Sequence, residues 1–270
     1  MRNPSGIGRP LPWLPALVIL LAQAAFPVET AAPDARIWEK AMLLAARNAD
    51  WVPSDMYLRV EELNRYGSVK NLRETWTILT LSDSGVIRTD LVKVLKNGED
   101  MTEEAREKQR RKIRDADEEK DSTVRVTTPF DPEVREDVTF SANGERRMIS
   151  RFRCVGFDFI QAVKPPEGKP FSLRGKAWLE EGTGAPLLMT FTMEPLPLGV
   201  KRIENTVRFE FGGEDRWYPK SVETEGSAGF LFIKKSFRTR MEFSGYGRKE
   251  QGRIRDDETA TDPKKTSIPK

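Results

Sequence analysis

Short segments that alternate apolar and polar residues follow one another through residues 174–246. Such alternation is typical of antiparallel strands with one face against a core and the other face in water. Turns that contain glycine or proline separate the segments, for example Gly182-Thr183-Gly184 and Gly212-Gly213. This arrangement predicts a mainly β fold, a single curled antiparallel sheet that forms an incomplete β-barrel.

The same period of two residues is present upstream. Residues 56–61 and 75–81 alternate and are rich in β-branched or aromatic side chains, and residues 86–95 continue the pattern after a turn. Ahead of these strands, residues 33–47 have the spacing of an amphipathic helix, with Ile37, Ala41 and Leu44 on one face. We therefore expect this N-terminal helix to pack on the sheet and close the half-barrel.

The N-terminus has the three-part layout of a secretory signal peptide. Arg2 and Arg9 precede an apolar core at residues 11–26, and Ala22-Gln23-Ala24 then provides a cleavage site before residue 25. A cut as late as residue 32 is an alternative, and an uncleaved anchor or a buried helix is less favoured because a membrane span needs about 20 apolar residues. No cysteine directly follows the core to accept a lipid. The prediction is a signal peptide at residues 1–24 and a soluble periplasmic protein.

The charge balance argues against nucleic acid as a partner. The chain has 45 basic and 42 acidic residues, and removing residues 1–24, which contain two arginines and no acid, leaves 43 against 42. Binding to a phosphate backbone requires concentrated lysine and arginine, whereas both signs are interspersed here. The charged residues therefore predict a well-solvated surface.

Two segments depart from the strand pattern. Residues 100–121 are almost entirely charged, and the acids near their start with basic residues later suit a helix dipole. A helix that is polar all round has little surface to bury, so we interpret this run as a solvated helical excursion or a partly disordered loop. The polar residues 247–270 are predicted to be a disordered tail, which leaves residues 33–246 as one domain.

Catalysis is not expected. The chain contains no histidine, which excludes Ser-His-Asp and Cys-His arrangements and histidine ligation of a metal. Its single cysteine, Cys154, lies in a predicted strand and is interpreted as a small buried hydrophobe. Adjacent carboxylates such as Glu180 and Glu181 point to opposite faces of a strand. We predict a protein without enzymatic activity, cofactor or metal.

The candidate binding residues are large flexible hydrophobes on one face of the predicted strands. They either pack against the N-terminal helix as an ordinary core or line a cavity for acyl chains, for which unbranched methionine and flat phenylalanine are suited. The predicted lipid-binding lining comprises Trp178, Leu187, Met189, Phe191, Met193, Phe209, Phe211, Leu231, Ile233, Phe237 and Met241.

One strand pair resembles a known family. The segment Gly175-Lys176-Ala177-Trp178-Leu179-Glu180, followed by a glycine-containing turn and Pro186-Leu187, is similar to a strand pair of periplasmic outer-membrane lipoprotein-sorting proteins of the LolA/LolB-like type. The similarity covers the C-terminal third well and the remainder only by the order of elements. It implies an incomplete antiparallel barrel, closed by helices, whose hydrophobic cavity receives lipoprotein acyl chains or free lipid. Within that family the fold also serves in sensing or regulation.

The sequence thus favours a periplasmic carrier or binder of lipid or lipidated protein. The alternative is an envelope-sensing or protein-interaction module whose core is filled by its own side chains, with a membrane protein of the envelope as partner. In either case the chain is expected to be a monomer.

Overall fold

The computed structural model describes residues 34–81, 87–115, 128–165, 168–213, 216–230, 233–250 and 253–255. The predicted signal peptide and most of the predicted tail lie outside these residues. Near the C-terminus the last long strand continues past Tyr246 to Glu250, and a short strand follows it. The sheet therefore extends into the segment that was assigned to the tail.

The described chain contains two α-helices, one 3₁₀ helix and twelve strands. The helices are α1 (Ala35–Arg47), α2 (Thr102–Asp115) and the 3₁₀ helix (Pro132–Asp137). The strands are β1 (Trp51–Leu63), β2 (Val69–Leu81), β3 (Ile87–Lys96), β4 (Glu99–Asp100), β5 (Val138–Ile149), β6 (Phe152–Val163), β7 (Phe171–Glu180), β8 (Pro186–Glu194), β9 (Val200–Phe211), β10 (Trp217–Phe230), β11 (Ile233–Glu250) and β12 (Arg253–Arg255).

All strands belong to one antiparallel sheet with the order β4-β3-β2-β1-β11-β10-β9-β8-β7-β6-β5, and β12 pairs with β11. The pairing of β1 with β11 joins two meanders, β1 to β4 and β5 to β11. The end strands β4 and β5 do not pair with each other, so the sheet is open rather than a closed barrel. The predicted fold class is confirmed. Between β4 and β5 the chain passes from one edge of the sheet to the other, and α2 lies on that connection.

Helix α1 divides the sheet into two different faces. Its residues Ile37, Trp38 and Ala41 are buried against side chains of β6, β7 and β8. We call the side of the sheet that carries α1 the helix face and the opposite side the outer face. Because strand side chains alternate, each residue and its cross-strand partner point to the same face.

Both ends of α1 are fixed by specific contacts. Near its start, the Nζ of Lys40 donates to the carbonyl of Gly182 at 2.6 Å. In the same turn a Cβ on Gly184, which has φ +76°, would lie 2.6 Å from the carbonyl oxygen of Ile37. Glycine therefore allows the turn to approach the helix. At the other end the side chain of Asn48 accepts from the backbone N–H of Trp217 at 3.3 Å, which connects the helix terminus to β10.

The charged segment contains helix α2, whereas the sequence left a solvated helix and a partly disordered loop as alternatives, and the helix is docked on the sheet. Polar side chains at Thr102, Arg106 and Gln109 bond to backbone groups of β3. These positions are spaced i, i+4 and i+7 and therefore share one helix face. Neither helix in the described part of the chain is long and apolar enough to cross a membrane.

Candidate functional site

A row of side chains runs across the helix face from β6 to β3, one residue from each strand. The cross-strand register aligns Phe157, Ala177, Met189, Val207, Val222, Met241, Leu58, Thr75 and Val94. On the α1 side of this row, Met189 and Val207 are each only 1% exposed. In the middle of the row, Val222, Met241 and Leu58 are half-buried. The row is thus filled at one side and accessible at its centre.

Half-buried apolar residues of the helix face are grouped on β1, β10 and β11, with Thr239 between Met241 and Phe237 and with Glu62 opposite Phe237. We call this group the central apolar surface. It consists of Met56, Leu58, Val60, Val222, Phe237 and Met241, all half-buried.

The position of the helices explains why this surface is accessible. Helix α1 packs mainly on β7 and the 3₁₀ helix, and α2 packs mainly on β3. In the described part of the chain, neither helix has β1, β10 or β11 as a main neighbour. Apolar side chains on these strands therefore present part of their surface to whatever approaches the helix face.

Phe237 crosses the strand next to its own because its partner is glycine. Phe237 pairs with Gly226 of β10, and a Cβ on Gly226 would lie 2.3 Å from Cζ of the ring. The ring thus lies directly against the glycine backbone, as aromatic side chains do when they shield a glycine in a neighbouring strand. This packing makes the end of the central apolar surface flat.

A hydrogen-bonded polar pair, buried Asn205 and half-buried Thr224, connects β9 and β10 on the helix face. Asn205 of β9 lies between Phe191 and Thr224 in the register. Its Oδ1 accepts from the Thr224 hydroxyl at 2.7 Å, and its Nδ2 donates to the Phe191 carbonyl at 3.4 Å. The backbone pairing of β8 with β9 ends at Phe191 and Asn205. Beyond that point the Thr192 hydroxyl donates to the Ile203 carbonyl at 2.7 Å and connects the two strands.

The outer face of the same strands is charged. Glu225, Arg238 and Glu61 follow one another across β10, β11 and β1, with ion pairs of 2.7 Å and 3.5 Å between neighbours. Arg59 adds a 2.7 Å ion pair to Glu61. Opposite charges on adjacent strands stabilise a sheet modestly and remain compatible with water. Apolar binding by the central strands is therefore restricted to the helix face.

Tyr57 is part of this charged outer face. Its hydroxyl donates to Oε1 of Glu74 at 2.6 Å. Burial and the neighbouring Glu74 carboxylate raise the pKa of Tyr57 to about 12, because both disfavour the phenolate. Tyr57 consequently stays neutral and serves as a hydrogen-bond donor between β1 and β2.

Four of the predicted lining residues lie in the filled part of the molecule. Met189 belongs to the core beneath α1, and Phe191 and Phe209 pack against that core. Met193 is also buried. These side chains contact protein atoms, which corresponds to the ordinary-core interpretation of the sequence pattern.

Trp178 and Leu187 lie in a second cluster near one end of the sheet, together with Cys154 and Trp217. Trp178 pairs with Leu188, whereas its neighbour Ala177 pairs with Met189, so Trp178 points to the outer face. The guanidinium of Arg147 lies 3.7 Å from the centroid of the Trp178 ring. This cation–π contact covers the indole on the outer face.

The remaining predicted residues have different positions. Phe237 and Met241 belong to the central apolar surface. Phe211 is 41% exposed, and its ring centroid is 5.0 Å from that of Trp217. Leu231 and the side chain of Ile233 lie outside the described residues.

Four members of the central apolar surface were absent from the predicted lining. Met56, Leu58 and Val60 come from β1, and Val222 comes from β10. The alternation of Met56, Leu58 and Val60 with polar neighbours was visible in the sequence. Their proximity to Met241 was not visible, because it depends on the pairing of β1 with β11 across most of the chain length.

The site offers apolar contact rather than reactive groups. Among the residues that the structure describes, no three His, Cys, Asp or Glu side chains are grouped to hold a metal ion. Burial raises the pKa of the Cys154 thiol to about 11, which keeps it protonated at neutral pH and weakly nucleophilic.

The protein is thus an open antiparallel sheet. Beneath α1 the side chains of its helix face are buried, whereas the apolar side chains on β1, β10 and β11 are half-buried. No protein-family model matches the chain, and no curated protein matches it significantly. Membership of the LolA/LolB-like family is therefore not shown and stays a prediction.

Two solved structures align with most of the chain. One is the complex structure of Pseudomonas aeruginosa MucA/MucB, with 13% identity over 78% of this chain and 94% of that chain and a TM-score of 0.21. The other is MucB in complex with MucA(peri), with 9% identity over 78% of this chain and 93% of that chain and the same TM-score of 0.21. Superposition at this level does not bear on the function of the present chain.

Proposed function

We propose that this protein is a non-enzymatic periplasmic binder or carrier of lipid or lipidated protein, with an acyl chain held on the central apolar surface. One observation carries the proposal: from the core beneath α1, against which Val222 packs, the apolar row of the helix face continues onto half-buried Met241 and Leu58. The signal-like N-terminus supports export to the periplasm.

The chemistry of the surface suits a ligand without a fixed shape. Met56 and Met241 are unbranched and adapt to different chain positions, and Phe237 adds a flat ring at the other end of the surface, against Gly226. Burying one methylene contributes about 0.8 kcal/mol, so an acyl chain of about a dozen carbons supplies enough free energy for reversible binding without a polar contact.

The first test is whether purified protein carries lipid. Native mass spectrometry of protein prepared without detergent is expected to show lipid adducts, and a fluorescent fatty acid is expected to bind and to be displaced by unlabelled lipid. Persistent absence of adducts together with no binding of the fluorescent fatty acid would refute the proposal.

A matched pair of variants locates the binding surface. Met241→Gln places an amide on the central apolar surface. It is expected to weaken fatty-acid binding about tenfold, because the free energy of burying one large apolar side chain corresponds to about that factor in affinity. Met148→Gln makes the same chemical change on β5, where Met148 is 59% exposed and outside the surface, and is expected to leave binding unchanged. Equal effects of the two substitutions would exclude this surface as the binding site.

The filled core favours one alternative, an envelope-sensing or protein-interaction module. Since Met189, Phe191 and Phe209 pack in or against the core beneath α1, their side chains contact protein atoms, and a protein segment in place of a lipid would cover the central apolar surface. A photoreactive residue at Leu58 distinguishes the two functions in cells. Crosslinks to lipid support the carrier, whereas crosslinks to one protein without lipid support the interaction module.

A further inference from the structure

Helix α2 covers an edge of the sheet that has no neighbouring strand among the described residues. Strand β3 pairs with β2 on one side, and on its other side β4 pairs with Leu95 and Lys96. Within the described part of the chain, the backbone groups of β3 before Leu95 therefore face outward without a partner strand. Such an edge can pair with a strand from another chain unless something blocks it.

The side chains of α2 take the place of the missing strand. The guanidinium of Arg106 donates to the Leu91 carbonyl at 2.9 Å and 3.0 Å and to the Val92 carbonyl at 3.2 Å. The Gln109 amide donates to the Thr89 carbonyl at 3.0 Å. These bonds occupy the acceptors that a neighbouring strand would use.

The first turn of α2 continues the same pattern. The Val94 N–H donates to the Thr102 hydroxyl at 3.0 Å, and the Val94 carbonyl accepts from the N–H of Met101 at 2.8 Å. A 2.6 Å ion pair from Glu103 holds the Arg106 guanidinium. Thus α2 blocks the outward edge of β3 from Thr89 to Val94.

Hydrogen bonds rather than apolar packing hold the helix in place. Ala105 is the one apolar residue between positions 102 and 111. Because little apolar area is buried, the free-energy difference between a docked helix and an equally well bonded strand is small. An extended segment could therefore replace α2 at this edge.

The charges of β3 identify that segment as β3 of a second copy. Asp90 and Lys93 pair with Ile78 and Trp76 of β2, so both point to the outer face. Val92 has no partner in β2 and forms a bulge beside Leu91, which is why Asp90 and Lys93 share a face although they are three residues apart. If two β3 strands pair antiparallel about a two-fold axis with Leu91 opposite Val92, each Asp90 lies opposite Lys93 of the other copy. The edge is complementary to itself in this register, as a closed two-fold interface requires.

We propose that the outer edge of β3 is a latent homodimer interface and that docked α2 keeps the protein monomeric by occupying it. The interface is distinct from the central apolar surface and does not depend on lipid binding. Any influence that releases Arg106 and Gln109 exposes the edge and permits antiparallel pairing of two β3 strands.

The experiment measures molar mass by light scattering after size exclusion at several micromolar concentrations. Wild-type protein is expected to be monomeric, whereas the double variant Arg106→Ala with Gln109→Ala is expected to shift to twice the mass. The control Glu107→Ala with Arg111→Ala removes a 3.3 Å ion pair on the exposed side of the same helix and is expected to remain monomeric. A dimeric wild type, a monomeric double variant or a dimeric control would overturn the proposal.

A charge exchange tests the register and separates dimerisation from aggregation of unfolded chains. Asp90→Lys added to the double variant places lysines opposite each other and is expected to restore the monomer. Further addition of Lys93→Asp recreates opposite charges and is expected to restore the dimer. If Asp90→Lys leaves the doubled mass unchanged, the association does not occur through this pairing and the proposal fails.

Discussion

The indole of Trp38 stacks parallel to the ring of Phe140, with centroids 4.4 Å apart and planes inclined by 6°. Trp38 is 1% exposed and also contacts the rings of Phe130 and Phe157 at centroid distances of 4.8 Å and 5.5 Å. A single residue of α1 thus joins the helix to β5, to β6 and to the segment that precedes the 3₁₀ helix. This contact attaches α1 to the sheet.

Truncation of this residue should be costly. Trp38→Ala is expected to lower the free energy of unfolding by about 3–5 kcal/mol, because it leaves a cavity between four elements and removes aromatic contacts. Chemical denaturation followed by circular dichroism measures the change. Leu43→Ala on the same helix is the control, since Leu43 is largely exposed and is expected to cost less than about 0.5 kcal/mol. A Trp38 variant as stable as the control would contradict this role.

Gly226→Ala should displace the ring of Phe237. The new Cβ would lie 2.3 Å from Cζ of the ring, so the ring must move away from Gly226 and alter its end of the central apolar surface. We expect a loss of about 1–3 kcal/mol in stability together with weaker fatty-acid binding.

A double-mutant cycle checks this explanation. If the clash causes the loss, Phe237→Leu in the Gly226→Ala background should recover part of the stability, because a shorter side chain avoids the alanine. Additive effects of the two substitutions would show that they act independently and would contradict the clash.

Gln161 is a buried amide with an orphaned acceptor. It is 4% exposed on the helix face, between Val138 and Leu173 in the register, and its Oε1 accepts no hydrogen bond from the residues that the structure describes. Replacing it with a similarly sized apolar side chain removes the desolvation cost of that oxygen. Gln161→Met is expected to raise the free energy of unfolding by about 1 kcal/mol in urea denaturation, whereas Gln161→Glu is expected to destabilise the protein at neutral pH. A destabilised Gln161→Met variant would show that the amide contributes a favourable interaction.

The hydrogen bonds of the Glu180 carboxylate in the turn after β7 predict that the stability of the protein falls at low pH. Burial favours the neutral form of Glu180, but the Thr183 hydroxyl and the N–H groups of Gly182 and Thr183 donate to its carboxylate and lower its pKa. A pKa lowered by folding stabilises the native state above the ordinary value of 4.5, and this contribution is lost as the pH falls through the native pKa.

Glu180→Gln is therefore expected to reduce the pH dependence of stability below about pH 4.5 and to lower stability at pH 7. Thermal unfolding at pH 3, 4, 5 and 7 measures both effects. The exposed Glu104 on α2 offers a control, and Glu104→Gln should leave the loss of stability at low pH unchanged. Parallel curves for wild type and Glu180→Gln would disprove the contribution of this carboxylate.

Local patterns were sufficient to predict α1 and most of the long strands, but not β4, β12 or the 3₁₀ helix. The alternation in residues 187–193 and 56–60 and the helical spacing of Ile37, Ala41 and Leu44 correspond to β8, β1 and α1. Residues 102–115 are helical as their charge pattern indicated. The docking of α2 was not predicted, because a polar helix face gives no signal in hydrophobic periodicity, and its contacts are hydrogen bonds to the backbone of β3.

The amino-acid sequence by itself determined the period of each segment, and therefore a mainly β chain with a helix at its start and no histidine chemistry. Only the tertiary structure decided which apolar residues are accessible. Met189 and Met241 occupy the same row and look equivalent in the sequence, yet α1 buries the first and leaves the second half-buried. The physical reason is that the alternation of residues along a strand determines the face on which each side chain lies. Its exposure depends on where a distant helix packs and on which strands become neighbours.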